Sequence, residues 1–96
     1  MRKITEQISK AFNSSKSLSI SNTRTDGASI WLFDNKIVRT RDGQVEFTLA
    51  DWNTPTTRER LQAVGVRVRT QQGQAYLLAD DNSEQPIEDN KWYSAT

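Results

Sequence analysis

The chain has 96 residues, of which 34% are hydrophobic, so it is long enough for one domain with a small core. It contains neither Cys nor His, which excludes disulfides, thiolate metal sites, thiol nucleophiles and a histidine acting as general base or metal ligand. The net charge is +1, but residues 1–71 hold twelve of the thirteen Lys and Arg residues against seven acids, whereas residues 72–96 hold one Lys against five acids. A basic body is therefore followed by an acidic segment.

The N-terminal stretch MRKITEQISKAF has the apolar spacing of an amphipathic helix, with Asn13 as its C-terminal stop. The residues that share its apolar face are Ile4, Ile8, Ala11 and Phe12. The stretch contains no long apolar run, which indicates neither a signal peptide nor a membrane span. We therefore expect a soluble cytoplasmic protein without membrane partners.

A short strand with Leu18 and Ile20 on one face follows in SLSIS, and NTRTDG, residues 22–27, reads as a loop. The segment ASIWLFDNKIVRTRDGQVEFTL then predicts three strands joined by two-residue turns at Asp34-Asn35 and Asp42-Gly43, which tolerate positive φ. The opposed residues that these turns predict are Trp31–Val38 and Leu32–Ile37 across the first, and Arg39–Glu46 and Val38–Phe47 across the second.

This register divides the side chains of the predicted sheet between two faces. The residues predicted on the core face are Trp31, Val38, Val45 and Phe47. The residues predicted on the opposite face are Ile30, Leu32 and Ile37, together with Arg39 and Glu46. The last two can form a cross-strand ion pair, and the opposite face could be covered by a helix or could meet a partner.

The stretch DWNTPTTRERLQAVG predicts a helix of about ten residues, which must pack against the fold to be stable. Thr54 suits the N-cap, Pro55 the first helical position and Gly65 the C-terminal stop. Thr56 and Glu59 have the spacing of a capping box. The residues predicted to face inward are Leu61 and Val64.

The stretch VRVRTQQGQAYLLA predicts a further hairpin, closed by a turn at Gln72-Gly73. In this register Val68 lies opposite Leu77, and Arg69 lies opposite Tyr76. The residues predicted to face the core are Val66, Val68 and Leu77, and those predicted to project outward together are Arg67, Arg69 and Tyr76.

The order of these elements predicts an α+β fold in a single small domain over residues 1–79. Its parts are an N-terminal helix, a mainly antiparallel sheet of about five to six strands and a short central helix. Residues 80–96 are acidic and turn-rich, and we expect them to dock partly through Trp92 and Tyr93.

The sequence offers little for catalysis or for a cofactor. Without Cys and His, an enzyme would need an activated Ser or Thr or a carboxylate pair, and no spacing singles one out, so we predict that the protein is not an enzyme. Asp80, Asn82 and Glu84 alternate as calcium ligands do, but Gln85 stands where a calcium loop requires glycine. The glycines are scattered singly and form no phosphate loop. We therefore expect no metal and no other cofactor.

Nucleic-acid binding is the chemistry that the sequence supports best. Arginines next to an exposed aromatic residue suit phosphate contacts combined with base stacking. The residues of this candidate arginine-rich face are Arg39, Arg41, Trp52, Arg58, Arg60, Arg67, Arg69 and Tyr76. The net charge is modest and no helix-turn-helix or RNP signature is present, so ordinary solvated arginines are the favoured interpretation.

Three segments, NTRTDGASIWLFDNKIV, LADWNTPTTRERL and VRVRTQQGQAYL, resemble a group of small accessory proteins from the early region of tailed bacteriophages. The resemblance covers residues 3–79, and its most specific part is the motif W-N-T-P-T-T-R-x-R-L. It implies a location in the cytoplasm of an infected bacterium and action by binding, for example to block a host enzyme, counter a defence system or assist phage DNA metabolism. The group brings no established active site, so no functional residue is carried over.

We therefore favour a non-enzymatic phage accessory protein that binds a host or phage macromolecule, with a protein as the preferred partner. The alternative is a nucleic-acid-binding protein that uses the arginine-rich face. A third hypothesis is a self-assembling structural component, which would form a defined homo-oligomer.

Overall fold

The computed structural model of the chain describes residues 2–95. Within this range the protein forms two α-helices, one 3₁₀ helix and two antiparallel sheets. In chain order the elements are α1 (Lys3–Asn13), β1 (Leu18–Ile20), β2 (Thr23–Thr25), β3 (Ser29–Leu32), β4 (Asn35–Arg41), β5 (Gln44–Phe47), α2 (Pro55–Leu61), the 3₁₀ helix (Gln62–Val64), β6 (Arg67–Gln71), β7 (Gln74–Leu78), β8 (Glu84–Ile87) and β9 (Tyr93–Ser94). The predicted fold class, α+β with a mainly antiparallel sheet, is confirmed.

The larger sheet has the strand order β1-β2-β3-β4-β5-β9, and the smaller sheet has the order β6-β7-β8. The first five strands follow one another in sequence, whereas β9 returns to pair with β5. The pairs that join them are Glu46–Ser94 and Phe47–Tyr93. Residues 80–95, which the sequence indicates to be acidic and turn-rich, thus supply one strand to each sheet.

The helix α1 forms over the predicted segment and packs against β1 and β2. Its apolar spacing buries Ile8 completely and leaves Phe12 only 8% exposed. The helix ends at Asn13, and the N–H of Ser14 bonds back to the Lys10 carbonyl at 3.1 Å. Within residues 2–95, neither helix combines the length and the apolar character needed to cross a membrane.

The prediction of a loop over residues 22–27 is wrong, because Thr23–Thr25 form β2 between β1 and β3. Thr23 and Thr25 are both buried, so their hydroxyls need hydrogen-bond partners. The Thr25 hydroxyl donates to the Ser29 carbonyl at 2.6 Å, and the Thr23 hydroxyl donates to Asn22 Oδ1 at 2.8 Å. These bonds let threonines, which favour strands, fill core positions that a search for apolar alternation passes over.

The first predicted hairpin turn is displaced by one residue. The turn residues are Phe33 and Asp34, both with positive φ, of 49° and 66°. The pairs observed across the hairpin are Leu32–Asn35, Trp31–Lys36, Ile30–Val38 and Ser29–Arg39. The register shifts between Ile30 and Trp31, so that Ile37 is the extra residue of a β-bulge.

This register corrects the predicted division of side chains between the two faces. Trp31, predicted in the core, lies on the outer face of the larger sheet, and the bulge turns Ile37 and Val38 inward together. The residues predicted on the opposite face that are buried in the core are Ile30, Leu32 and Ile37. The observed register is favoured because it buries these three aliphatic side chains and leaves at the surface an indole that can contact cations.

The other two hairpins, closed at Asp42-Gly43 and Gln72-Gly73, have the predicted registers. Arg39 and Glu46 form the predicted cross-strand ion pair, with 2.8 Å between Nε and Oε1. Both turns contain a glycine with positive φ, the conformation that two-residue hairpin turns require.

The central helix also begins and ends as predicted. Thr54 caps α2 by accepting a hydrogen bond from the Thr57 N–H at 3.1 Å, and Gly65 follows the 3₁₀ helix with a φ of 78°. Glu59, predicted as a capping-box partner, instead accepts a hydrogen bond from the Arg2 N–H at 2.8 Å. This bond ties α2 to the start of α1.

One core joins both helices and both sheets. Its buried side chains include Ile8 from α1, Val38 and Phe47 from the larger sheet, Leu61 from α2 and Ile87 from the smaller sheet. The helices and the smaller sheet therefore lie on the same side of the larger sheet, and its outer face points away from them.

Candidate binding site

The structure does not bring the eight residues of the predicted arginine-rich face together. Arg60 is only 3% exposed, and its guanidinium donates hydrogen bonds to Thr23 Oγ1 at 2.9 Å and to Thr5 Oγ1 at 3.2 Å. Burial lowers the pKa of this guanidinium. Arg60 is thus a cation inside the fold rather than on a surface.

Arg58 and Arg67 are held by neighbouring polar groups. The Arg58 guanidinium donates to Asn53 Oδ1 at 2.5 Å and to Thr70 Oγ1 at 3.0 Å, and so links α2 with β6. The Arg67 guanidinium reaches the Ala79 carbonyl at 3.4 Å, a long hydrogen bond. These two arginines connect elements of the fold.

Arg69 and Tyr76 project from the smaller sheet together, as predicted. The Arg69 Cζ atom lies 4.8 Å from the Tyr76 ring centroid, and the guanidinium binds Glu84 through both carboxylate oxygens, with 2.8 Å between Nε and Oε1. This hydrogen bonding lowers the pKa of Glu84 and raises that of Arg69. The acidic segment, through β8, therefore neutralises an arginine that we expected to be open to a partner.

Arg39 and Arg41 lie on the outer face of the larger sheet. Arg39 binds Glu46, and its Cζ atom lies 4.0 Å from the ring centroid of Trp92. Arg41 is exposed, and its side chain makes no hydrogen bond or ion pair within residues 2–95. The predicted arginine-rich face is thus divided between two sheets, a helix and the core.

Trp52, the remaining candidate, stacks against Phe33. The ring centroids are 6.2 Å apart and the ring planes differ by 20°. Trp52 is 52% exposed and Phe33 is 57% exposed, and within residues 2–95 they are the large apolar side chains that stay mainly in solvent. Exposed aromatic residues are typical of interaction surfaces, because they bury a large area when a partner binds.

Both rings are carried by turns with left-handed backbone conformations. Phe33 and Asp34 have φ values of 49° and 66°, and Ala50 and Asp51, just before Trp52, have φ values of 54° and 61°. The left-handed conformation is uncommon for a residue other than glycine and costs about 1 kcal/mol or more. Asp42 and Gln72, in the other two hairpin turns, have φ values of 53° each, so Phe33 and Asp34 have the ordinary conformation of a two-residue turn.

A groove of about 180 Å³ opens beside the aromatic pair. Leu32, Ile37 and Leu49 form its buried floor, and Phe33 and Trp52 form its exposed rim. Threonines at the start of α2 add hydroxyl groups along one side. The groove therefore brings the edge of the hydrophobic core to the surface next to two exposed rings.

Two carboxylates flank the aromatic pair. Asp34 directly follows Phe33, Asp51 directly precedes Trp52, and both are exposed. The Asp34 side chain is 93% exposed, and its contact with Arg24, at 3.7 Å, is a weak surface ion pair. Each ring of the pair is thus next in sequence to an exposed carboxylate, although neither carboxylate lines the groove itself.

Phe33 is absent from the site residues that we predicted, because in the predicted register it is the last residue of a strand. The signal available in the sequence is a bulky apolar residue directly before Asp34 and Asn35. This sequence permits a two-residue turn at either Phe33-Asp34 or Asp34-Asn35, and the choice decides whether the ring is in a strand or on a turn.

No three Asp or Glu side chains of the described residues are grouped so that they could hold a metal ion. Glu84, one of the alternating acids considered as calcium ligands, is bound by Arg69. Asp81 accepts a hydrogen bond from the Ser83 N–H at 2.9 Å. These contacts make the segment an acidic turn that leads into β8.

A family model described as Kyanoviridae Gp96 protein matches residues 1–95. The chain belongs to the Kyanoviridae Gp96 protein family. This assignment confirms the expected phage origin, whereas the early-region membership and the proposed motif stay predictions. No curated protein and no solved structure shows significant similarity to this Gp96 family member.

Proposed function

We propose that this Gp96 family member is a non-enzymatic phage accessory protein that binds another protein through the groove beside Phe33 and Trp52. The observation that carries the proposal is the exposed, stacked aromatic pair at the mouth of an apolar groove. The partner would be a host or phage protein in the cytoplasm of the infected bacterium.

The aromatic pair would contribute binding free energy at a low entropic cost. Removal of apolar area from water contributes about 25 cal/mol per Å², and truncation of a tryptophan at the centre of an interface often costs about 2 kcal/mol or more. Phe33 and Trp52 are already in contact on these turns, so binding does not have to order them.

The size and charge of the groove indicate the chemistry of its occupant. A cavity of about 150 Å³ holds a benzene molecule. The groove of about 180 Å³ therefore has room for one aromatic or branched aliphatic side chain. Asp34 and Asp51, which are the sequence neighbours of the two rings, favour a cation in the partner next to the inserted group. We expect the partner to present a large apolar residue beside Lys or Arg.

Capture from a nuclease-treated host lysate, followed by titration of the purified captured protein, tests this proposal. We would compare the wild type with Trp52→Ser and Phe33→Asn, because Asn tolerates the left-handed backbone of the turn. Each change should weaken binding by about tenfold or more, since it removes a central aromatic contact. Tyr76→Ser is the matched control, because it removes a half-buried ring from the smaller sheet. Equal affinity for all four proteins would contradict the proposal.

Asp34→Asn and Asp51→Asn test the flanking charge. Asn adopts the left-handed backbone conformation readily, so neither substitution should disturb the turn in which it is made. Each should slow association with the captured protein and reduce the dependence of the association rate on salt. Association rates that do not change at low salt would contradict the expected basic residue in the partner.

A further inference from the structure

The outer face of the larger sheet presents a second surface of distinct chemistry. Its members are Arg24, Trp31, Lys36, Arg39, Arg41, Glu46 and Trp92. Arg24, Trp31 and Lys36 form one row across three strands, because they are direct cross-strand partners. Tyr93 packs its ring into the core, so the adjacent Trp92 lies on the outer side, against Arg39.

Each tryptophan of this face is stacked against an arginine. The Arg24 Cζ atom lies 4.2 Å from the Trp31 ring centroid, and the Arg39 Cζ atom lies 4.0 Å from the Trp92 ring centroid. The Lys36 Nζ atom lies 5.3 Å from the Trp31 ring. Both indoles are only half-buried, so a planar group from outside the protein can reach them.

The outer face also carries more cations than carboxylates. Its four cations are Arg24, Lys36, Arg39 and Arg41, and the carboxylates that interact with them are Asp26, Asp34 and Glu46. Lys36 and Arg41 form no ion pair within residues 2–95, and the contact between Arg24 and Asp34 is exposed and long.

We propose that the outer face binds single-stranded nucleic acid, with bases stacked on Trp31 and Trp92 and phosphates held by the four cations. Stacking of a base on an aromatic ring is stronger than an exposed cation–π contact, so a base can displace a guanidinium from an indole. The displaced arginine stays beside the base and can pair with a phosphate. Two weak internal contacts are thereby exchanged for stacking and ion pairing with the strand.

The spacing of the β-strands fits a short stretch of nucleic acid. β3, which carries Trp31, and β9, which Trp92 precedes, are separated by three strand-to-strand steps, or about 14 Å at about 4.8 Å per step. A stacked single strand advances about 3.4 Å per nucleotide, so roughly four nucleotides would cross from β3 to β9. A duplex fits poorly, because its base faces are covered and the sheet face offers no helix or ribbon to enter a groove.

Fluorescence anisotropy with labelled strands of about 12 nucleotides, at about 50 mM and about 200 mM salt, tests this proposal. We expect single-stranded oligo(dT) or oligo(U) to bind more tightly than a duplex of the same length, with an affinity that falls as salt rises. The oligonucleotide that binds more tightly, DNA or RNA, identifies the class of nucleic acid that the face binds. Trp31→Leu and Trp92→Leu should each weaken binding by about tenfold, whereas Trp31→Phe should retain most of it.

Two further variants distinguish binding at the outer face from a general effect of charge or of folding. Arg41→Gln and Lys10→Gln each remove one exposed cation, from the outer face and from α1 respectively. Arg41→Gln should make the slope of log affinity against log salt shallower by about 0.7, and Lys10→Gln should leave it unchanged. Trp52→Ser should bind the nucleic acid as the wild type does. The proposal for the outer face and the proposal for the protein-binding groove can therefore be refuted separately. Absence of binding at low salt, tighter binding of the duplex, or equal losses in the Arg41 and Lys10 variants would overturn the proposal.

Discussion

The guanidinium of Arg60 is a buried charge whose direct hydrogen-bond partners are hydroxyl groups. It is 3% exposed and bonded to the hydroxyls of Thr5 and Thr23, and none of the ion pairs within residues 2–95 includes it. Removal of a cation from water costs several kcal/mol in a protein interior, and hydroxyl acceptors offset this cost less than a carboxylate would. We therefore infer that the charge of Arg60 adds little to net stability.

Two substitutions at this position test that inference. Arg60→Met should leave the free energy of unfolding within about 1 kcal/mol of the wild type or raise it, because Met occupies similar space without a charge. Arg60→Lys should lower it by about 1–3 kcal/mol, since Lys keeps the charge but cannot bond both hydroxyls. Urea denaturation followed by circular dichroism measures both. If the Lys variant were the more stable of the two, the charge itself would be stabilising.

The face of the sheet on which a side chain lies could be predicted where a glycine-containing turn fixes the register of the two strands. Arg69 and Tyr76 were placed correctly because the turn between their strands has one favoured position. Arg60 was predicted on the surface although it is buried, because α2 has too few apolar residues to define its inward face. Trp31 was misplaced because the neighbouring turn has two equivalent positions in the sequence.

At the level of elements, Gly27 marks the point where two loops touch. A Cβ atom at this position would lie 2.6 Å from the carbonyl carbon of Ser15, and the φ of Gly27 is +90°. Gly43, in the turn between β4 and β5, has a similar φ of +77° but open space around it. The two glycines therefore separate the cost of a left-handed backbone from the cost of a steric clash.

Substitution of each glycine by alanine measures these two costs. Gly43→Ala should lower the free energy of unfolding by about 1–2 kcal/mol, which is the cost of the left-handed backbone alone. Gly27→Ala should lower it by about 3 kcal/mol or more, because the backbone of Ser15 must also move. Equal losses, measured by urea denaturation, would mean that the loop around Ser15 adjusts without cost.

The hairpins show why some elements could be predicted in register and another could not. Asp42-Gly43 contains the glycine that a two-residue turn favours, and its register is confirmed. Asp34-Asn35 contains none, and the turn forms at Phe33-Asp34 although this gives a phenylalanine a positive φ. Burial of three aliphatic side chains outweighs the local preference, and that burial depends on helices that are remote in sequence.

For the molecule as a whole, residues 80–95 complete both sheets. β8 pairs with β7 and buries Ile87, while β9 pairs with β5 and brings the Tyr93 ring to 5.9 Å from the Phe47 ring, centroid to centroid. The Tyr93 hydroxyl accepts a hydrogen bond from the Glu88 N–H at 2.8 Å. These strands were missed because short edge strands bury few residues and leave little apolar alternation to detect.

Truncation after Ala79 tests whether residues 1–79 are an independent domain, as the sequence predicts. We expect the truncated chain to lose cooperative urea unfolding. Removal of the residues after Ala79 uncovers the edges of β5 and β7 together with core side chains. In the full chain, Ile87→Ala should cost about 2–4 kcal/mol, and Pro86→Ala, at an exposed neighbour, less than about 0.5 kcal/mol. A truncated chain with a sharp, reversible transition would show that the first 79 residues fold alone.

The pairing of β9 with β5 also has a consequence during translation, because β9 is synthesised long after β5. A ribosome adds about 5 to 20 residues per second, so the interval between Phe47 and the arrival of β9 is roughly 2 to 9 s. Throughout that interval β9 does not yet exist, so any sheet that forms by then has an open edge at β5. Chaperones, or a second nascent copy on the same messenger, can compete for that edge before β9 closes it.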